Sequence, residues 1–140
     1  MPREVRMRPF VLLAVAACSL IAAGAALAGV PTSIQGTFTR HFGIQDFKQA
    51  EEAPSGTYTM KVTPTLLIWT AGGLGQPIEQ IKVSGGTAEV RDKPGSLGRL
   101  CATEAWGVYR FKASGKSVTF TKVKDPCTTR GDILGKTWTK

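Results

Sequence analysis

Residues 107–124 read GVYRFKASGKSVTFTKVK, and this stretch decides the fold. Two runs rich in β-branched and aromatic residues, Gly107–Ala113 and Ser117–Lys124, are joined by a short connection around Gly115. Alternating apolar and polar residues on either side of such a turn predict a β-hairpin. The alternation places four residues on its inner face: Tyr109, Phe111, Val118 and Phe120.

Two cysteines flank this hairpin. Cys101 and Cys127 have their midpoint at residue 114, close to the centre of the turn. If the pairing of the two strands extends outward, the cysteines face each other across the open end of the hairpin. We therefore expect one disulfide, which an oxidising compartment permits. The pair lacks the C-x-x-C spacing and the histidine cluster typical of redox or metal sites, so the sequence predicts no metal site and no cofactor.

The rest of the chain repeats this pattern of short strands. Gly and Pro interrupt runs of Thr, Val, Ile and aromatic residues every eight to twelve positions, which is typical of an all-β sandwich or barrel. Including the hairpin, we predict eight strands, at Ser33–Phe42, Gly56–Thr63, Leu66–Ala71, Ile78–Ser84, Thr87–Arg91, Gly107–Ala113, Ser117–Lys124 and Lys136–Thr139.

Helical signals are few. Residues 44–52 are rich in helix formers and are followed by Pro54 and Gly56, so a short helix is expected after the first strand. A second short turn is expected after Asp125-Pro126, where Asp can cap and Pro can take the first helical position.

Short connections favour up-and-down neighbours, and eight strands can close into a barrel that has no exposed edge. A sandwich remains the alternative, because the pattern alone does not distinguish the two closures. We predict an eight-stranded antiparallel up-and-down barrel at residues 29–140, with the short helix covering one end.

The predicted layout resembles the lipocalin-like, or calycin-like, β-barrels, in particular small secreted bacterial proteins of that kind without an assigned function. The resemblance rests on Gly56-Thr57-Tyr58-Thr59-Met60, on the hairpin strands beginning at Gly107 and Ser117, and on the tail 125–130 with Leu134 and Trp138 beyond it. It implies a cup-shaped barrel whose interior could hold one small apolar ligand.

Seven residues, six of them aromatic, are candidates for the lining of such a ligand site. Alternatively, the same side chains fill the barrel, as in the smallest eight-stranded barrels. The candidates are Phe38, Tyr58, Met60, Trp69, Tyr109, Phe111 and Phe120.

Arg130 has two interpretations. It closes the barrel end by stacking on an aromatic ring such as Tyr58 or Trp138, or it binds an anionic group of a ligand.

Catalytic chemistry has little support in the sequence. Acid–base or triad catalysis needs a histidine or paired carboxylates beside a nucleophile, and His41 is the chain's one histidine. Gly72-Gly73-Leu74-Gly75 lacks the Lys and Ser/Thr of a phosphate-binding loop and is interpreted as a barrel-mouth loop. The sequence thus predicts a binding protein and no enzyme. The main alternative to a ligand carrier is a protein- or envelope-binding module, of inhibitor or adhesin type, that uses loops 72–77 and 92–99.

The N-terminal residues 1–28 predict a secretory signal peptide. Three arginines precede an apolar run from Phe10 to Leu27, which ends in the small-residue triplet Ala26-Leu27-Ala28. Cys18, after Val15-Ala16-Ala17, supports an alternative in which a lipid anchors the protein. Both interpretations place the domain outside the cytoplasm.

The predicted mature chain is basic. The full chain has a net charge of +8, and without residues 1–28 it keeps 15 basic and 9 acidic residues, a charge of +6. Its lysines are spread singly, which favours a solvated outer face and predicts no nucleic-acid partner. After cleavage no remaining apolar run is long enough to cross a bilayer. The sequence leaves the oligomeric state open.

Overall fold

The protein forms a closed antiparallel β-barrel. A computed structural model describes residues 29–47, 54–71 and 75–140. Neighbouring strands pair in chain order from β1 to β8, and β8 pairs with β1, so the predicted up-and-down barrel is confirmed. The strands are β1 (Gly36–Phe42), β2 (Gly56–Val62), β3 (Leu66–Thr70), β4 (Ile78–Ser84), β5 (Thr87–Asp92), β6 (Gly107–Ser114), β7 (Ser117–Lys124) and β8 (Thr137–Thr139).

The inner face of the barrel follows the alternation in the sequence. In β2, Tyr58, Met60 and Val62 are buried, while the intervening Thr57 and Lys61 are exposed. The other predicted inward residues are also buried, with the exception of Phe111, which is partly buried and packs against the core. These further buried residues are Ile34, Phe38, Phe42, Ile81, Val83, Tyr109, Val118 and Phe120.

The two ends of the barrel differ in the length of their connections. At one end, here called the turn end, β4–β5 and β6–β7 are joined by tight turns in which Gly85 and Gly115 have positive φ. The residue pairs Ser84–Thr87 and Ser114–Ser117 lie directly beside these turns. At the other end, here called the loop end, the connections span residues 43–55, 71–77, 93–106 and 125–136.

The helical segments lie partly where the sequence predicts them. After β1, Ile44–Asp46 forms one 3-10 turn, which the Asp46 carboxylate caps by accepting the Gly43 N–H at 2.8 Å. Phe47 is already extended, with its ring stacked on Phe42, and residues 48–53 lie outside the described residues. The predicted helix over 44–52 is thus a 3-10 turn in its described part.

The α-helix of the described chain lies between β7 and β8 instead of after the first strand. This helix, α1, spans Thr128–Leu134 and begins after Cys127, two residues later than the turn predicted at Pro126. Asp125 is turned toward Arg130, and the Cys127 sulfur caps the helix by accepting the Arg130 N–H at 3.4 Å. This explains why the helix begins at Thr128.

Both termini of the described chain are held at the turn end. Val30 donates its N–H to the Pro64 carbonyl in the β2–β3 turn, at 3.3 Å. Lys140 donates to the Lys116 carbonyl in the β6–β7 turn, at 2.8 Å. The loop end therefore carries neither terminus of the described domain.

Among the described residues, no helix has the length and apolar character needed to span a bilayer. The predicted signal peptide, residues 1–28, including Cys18, lies outside the described residues.

Candidate functional site

Aromatic side chains fill the interior of the barrel. The Trp138 ring lies with its centroid 5.3 Å from that of Trp69 and 5.6 Å from that of Phe42. Phe42 in turn lies 4.8 Å from Tyr58 and 5.5 Å from Phe47. All five residues are buried, so these rings occupy the space in which an interior ligand would lie.

The remaining residues predicted to line a ligand site take part in the same core. Phe38, Met60, Tyr109 and Phe120 are buried. Phe111 lies nearer the surface, 6.2 Å from Phe120 between ring centroids. The structure therefore brings the seven predicted lining residues together as packing partners of one another.

Arg130 lies at the loop end, fully buried beneath the connections. Its Nε and Nη2 bind the two carboxylate oxygens of Asp125 at 2.7 and 2.8 Å, which is a bidentate ion pair. Nη2 also donates to the Ala105 carbonyl at 3.0 Å, and Nη1 lies 3.4 Å from Oε1 of Glu79. Arg130 thus binds carboxylates of the same chain. Its contacts hold the 93–106 connection, α1 and β4 together.

Glu79 is the second charged residue of this cluster. Its Oε2 accepts the indole N–H of Trp69 at 2.8 Å, and no part of the residue is exposed. The pKa of Glu79 is raised to about 7. Burial is the main cause and the nearby Asp92 adds to it, while Arg130 acts in the opposite direction. Glu79 therefore changes protonation near neutral pH.

Tyr109 and Asp125 complete the interaction. The Tyr109 hydroxyl donates to the Asp125 carboxylate, and burial together with this bond raises the pKa of the tyrosine. Burial alone would lower the pKa of Arg130. The hydrogen bond to Asp125 and the negative charges of Asp125 and Glu79 outweigh this effect, so the pKa of Arg130 is raised. A Cβ at Gly107 would overlap the Asp125 carboxylate, so glycine at this position leaves the room that the ion pair needs. We name these residues the Glu79 cluster: Trp69, Glu79, Asp92, Tyr109, Asp125 and Arg130.

The predicted disulfide is present next to this cluster. Cys101 and Cys127 are bonded, with their Cα atoms 5.7 Å apart. Asp92 accepts the backbone N–H groups of Cys101 at 3.0 Å and of Leu100 at 3.4 Å, and Asp125 accepts that of Cys127 at 2.8 Å. The disulfide and the two carboxylates together attach the 93–106 connection to the start of α1.

This cluster does not suit a metal ion in the disulfide form. Ligand atoms of Glu79, Asp92 and Cys101 lie within 4.8 Å of one another. The Cys101 sulfur, however, is bonded to Cys127 and offers no thiolate, while both carboxylates already accept N–H groups. The prediction that the protein binds no metal or cofactor stays a prediction.

An apolar groove opens above the cluster. Its walls are residues from the 71–77 and 93–106 connections and the first residue of β4, and its volume is about 640 Å³. The Leu97 side chain is fully exposed there. We name this the Leu97 groove, and its lining residues are Gly75, Gln76, Ile78, Gly95, Ser96, Leu97 and Gly98.

A second groove of about 440 Å³ runs along the disulfide, between residues 100–103 and 126–129. A smaller one of about 140 Å³ lies at the turn end beside Val30 and Pro64. The turn-end groove is lined partly by three buried core residues, Val30, Ile81 and Val83. The other two grooves are formed by the loop-end connections and the residues beside them, and the aromatic core residues line none of the three.

Candidate catalytic residues are not assembled. His41 is exposed on the outer face of β1, with Nδ1 3.5 Å from the Thr57 hydroxyl. Glu104 pairs with Arg99 at 3.3 Å, on the surface of the 93–106 connection. The described residues thus place neither of these side chains in one of the three grooves.

Sequence reasoning singled out Trp69, Tyr109 and Arg130 of the Glu79 cluster as site residues, but it missed the buried carboxylates Glu79 and Asp92 and the pairing of Asp125 with Arg130. Glu79 shares the inward parity of Ile81 and Val83 in β4, and Asp92 shares that of Ala88 and Val90 in β5. A carboxylate at an inward-facing position was the available signal. Its partners could not be read, since they lie on other strands and on α1 and meet Glu79 only when the barrel closes.

Comparison with family models, with characterised proteins and with solved structures found no match to this chain.

Proposed function

We propose that this protein is an exported, non-catalytic protein-binding module that uses the loop end of a filled barrel. The observation that carries the proposal is the packing of the interior. The side chains that an interior ligand would contact are buried against one another, with Trp138 between Trp69 and Phe42. An interior ligand would have to displace this core, so the surface is the better candidate for binding.

The Leu97 groove is the surface that fits a protein partner best. The fully exposed Leu97 side chain and the apolar groove beside it together offer one apolar surface for contact. Gly75 and Gly95, both with positive φ, shape the two walls, so backbone is exposed for contact. We infer that an apolar side chain on a protruding segment of the partner enters the groove.

The charge around the groove indicates the chemistry of that partner. Lys93 is exposed in the connection that carries Leu97, whereas Arg99 in the same connection is paired with Glu104. The predicted mature chain has an excess of basic residues. A partner with acidic groups around the apolar side chain would be attracted to this end of the barrel.

The rigid base of the groove supports the same role. Arg130, Asp125 and the disulfide fix the 93–106 connection against the barrel. A loop that is held in place loses less conformational entropy on binding, which favours affinity.

Export, and the relation to lipocalin-like proteins, belong to this proposal. The disulfide fits an oxidising compartment, and the up-and-down eight-stranded barrel fits a lipocalin-like origin. The exposed position of His41, away from the Glu79 cluster, supports a non-catalytic role.

A small apolar molecule is the second candidate ligand. The groove's volume of about 640 Å³ falls in the range of small-molecule pockets, on the order of 300–1,000 Å³. We place such a ligand in the groove in preference to the barrel interior.

Site-specific photo-cross-linking in the producing cells tests the proposal. A photoreactive amino acid replaces Leu97 in one variant and Lys116, exposed in the β6–β7 turn at the opposite end, in the control. We expect a discrete cross-linked protein band from position 97 and none from position 116. Native mass spectrometry of the purified protein runs in parallel.

The outcomes separate the two candidates. A band from position 97 that vanishes when Ile78→Asp changes the groove supports a protein partner. A co-purifying small molecule, without such a band, supports the second candidate. Equal labelling from positions 97 and 116, or none from either and a bare mass, overturns both.

A further inference from the structure

The walls of the Leu97 groove begin at two buried carboxylates. Ile78 lines the groove and Glu79 follows it in β4; the opposite wall starts after Asp92, the last residue of β5. Glu79 and Asp92 are cross-strand neighbours, and the Lys93 N–H donates to the Ile78 carbonyl at 2.9 Å. The two walls therefore start from one pair of neighbouring residues in the β4–β5 ladder.

Asp92 also holds the far end of its wall. Its two oxygens accept the N–H groups of Leu100 and Cys101, and Arg99 Nε lies 3.8 Å from Oδ2. The segment that carries Leu97 is thus attached at both ends to one carboxylate. The order of its far end therefore depends on the position of Asp92 together with the Cys101–Cys127 disulfide.

The groups that face Glu79 act on its charge in opposite directions: Arg130 attracts it, the Trp69 indole donates a hydrogen bond to it, and Asp92 repels it. They come from every element packed around it: Trp69 on β3, Asp92 on β5, Tyr109 on β6 and Arg130 on α1. Arg130 is the one buried cation among them, and it is bound bidentately to Asp125 and lies farther, 3.4 Å, from Glu79. When Glu79 is charged, it and Asp92 therefore form a pair of like charges inside the protein, where their repulsion is weakly screened.

We propose that Glu79 is a proton-operated control of the Leu97 groove: protonated, it lets Asp92 order the 93–101 segment, and ionised, it repels Asp92 and loosens that segment. The binding consequence, tighter association at mildly acidic pH, rests on the proposed function. The loosening itself does not, because it involves this chain alone. The burial that raises the pKa of Glu79 to about 7 puts the change at neutral pH.

Nuclear magnetic resonance on the purified protein tests the control directly. The carboxyl carbon of Glu79 and the exchange protection factors of the Leu100 and Cys101 amides are followed from pH 5 to pH 9. We expect the carboxyl group to titrate near neutral pH and both protection factors to fall over the same range. Loosening should bring the pKa of Glu79 back toward its ordinary value. For each pKa unit of this return, the protection factors should fall about tenfold.

Two variants make the result specific. Glu79→Gln cannot ionise, so its protection factors should stay constant over this range. Glu89→Gln removes a carboxylate from the exposed face of β5 and should keep the wild-type response. Titration of Glu79 below pH 5, or constant wild-type protection through its titration, overturns the proposal. If Glu79→Gln does not fold, the wild-type titration decides alone.

Cross-linking from position 97 at pH 6 and pH 8 separates this inference from the proposed function. If the protection factors depend on pH but no partner is cross-linked, the control by Glu79 is supported and the proposed function is contradicted. If a partner is cross-linked equally at both pH values and the protection factors do not change, the proposed function is supported and the control by Glu79 is contradicted.

Discussion

Glu79 and Asp92 lie opposite each other on β4 and β5, and both carboxyl groups are fully shielded from solvent. Such a pair in a barrel wall is costly when both members are charged, since Arg130 is shared with Asp125. The cost appears in the pH dependence of stability as well as in the order of the 93–101 segment.

Stability should fall as the pH rises toward neutrality. The folded protein holds the Glu79 proton up to about pH 7, whereas the unfolded chain releases it near pH 4.5. The contribution of this group to the free energy of unfolding is therefore complete below pH 4.5 and is lost as the pH rises through about 7. The loss is on the order of 3 kcal/mol. Urea unfolding between pH 4.5 and 8 measures it.

Glu79→Gln is the matched variant for this measurement, and it should flatten the slope. Asp46 acts in the opposite direction, because the Gly43 N–H lowers its pKa, so its contribution is lost only as the pH falls below 3.8. Starting at pH 4.5 isolates Glu79. Equal slopes in the wild type and Glu79→Gln would contradict the assignment.

Replacing Arg130 by methionine should be among the most damaging changes on the surface of α1 that faces the barrel. It leaves Asp125 and Glu79 buried without their cation, which costs about 3–5 kcal/mol. Arg110→Met, at an exposed position of β6, is the control and should change stability by about 0.5 kcal/mol or less. Denaturant midpoints with equal m-values provide the comparison. Similar midpoints for the two variants would show that the buried ion pair contributes little.

The two core tryptophans should respond differently to replacement by phenylalanine. The Trp69 indole N–H binds Glu79 at 2.8 Å, whereas that of Trp138 is buried without a hydrogen-bond partner among the described residues. Trp69→Phe takes a donor away from a buried carboxyl group, so it should cost about 1–3 kcal/mol more than Trp138→Phe. Thermal unfolding followed by circular dichroism tests this order. A reversed order would place the strong indole bond at Trp138.

Removing the disulfide should destabilise the barrel without changing its topology. The bond closes a loop with a sequence separation of 26 residues, for which the chain-entropy model gives about 3.5 kcal/mol. The Cys101→Ala/Cys127→Ala double variant should lose this stability and keep its far-ultraviolet spectrum. Intact mass should show the wild type two hydrogens lighter than its reduced form. Free thiols at both positions in the native protein would exclude the bond.

The barrel could be predicted because its strands carry a regular signal. Tyr58, Met60 and Val62 alternate with outward residues, and the turns contain glycine where a positive φ is needed, as at Gly115. Alternation and turn chemistry are local properties, so they can be read without knowing the partner strand. The disulfide could be predicted for the same reason, since Cys101 and Cys127 are positioned by a hairpin whose centre is visible in the sequence.

The loop end could not be predicted in this way. Arg130 meets Asp125 five residues earlier, but it meets Glu79 only because the barrel closes and α1 crosses its end. Leu97 lies in a connection without periodicity, so its exposure depends on where Asp92 anchors the segment. Such contacts are decided by tertiary packing, and the sequence indicates them only through a charged residue at an inward position.

The placement of both termini at the turn end makes this barrel convenient to rebuild. Val30 is held at the β2–β3 turn and Lys140 at the β6–β7 turn, so a tag or surface tether added after Lys140 points away from Leu97. A linker that crosses the turn end from residue 140 to residue 29 would close the chain into a circle, and new termini could then be opened in the exposed part of the 93–99 segment. Such a permutant would keep every strand pair of the barrel while cutting the groove wall, and would thereby separate folding from recognition in a single molecule.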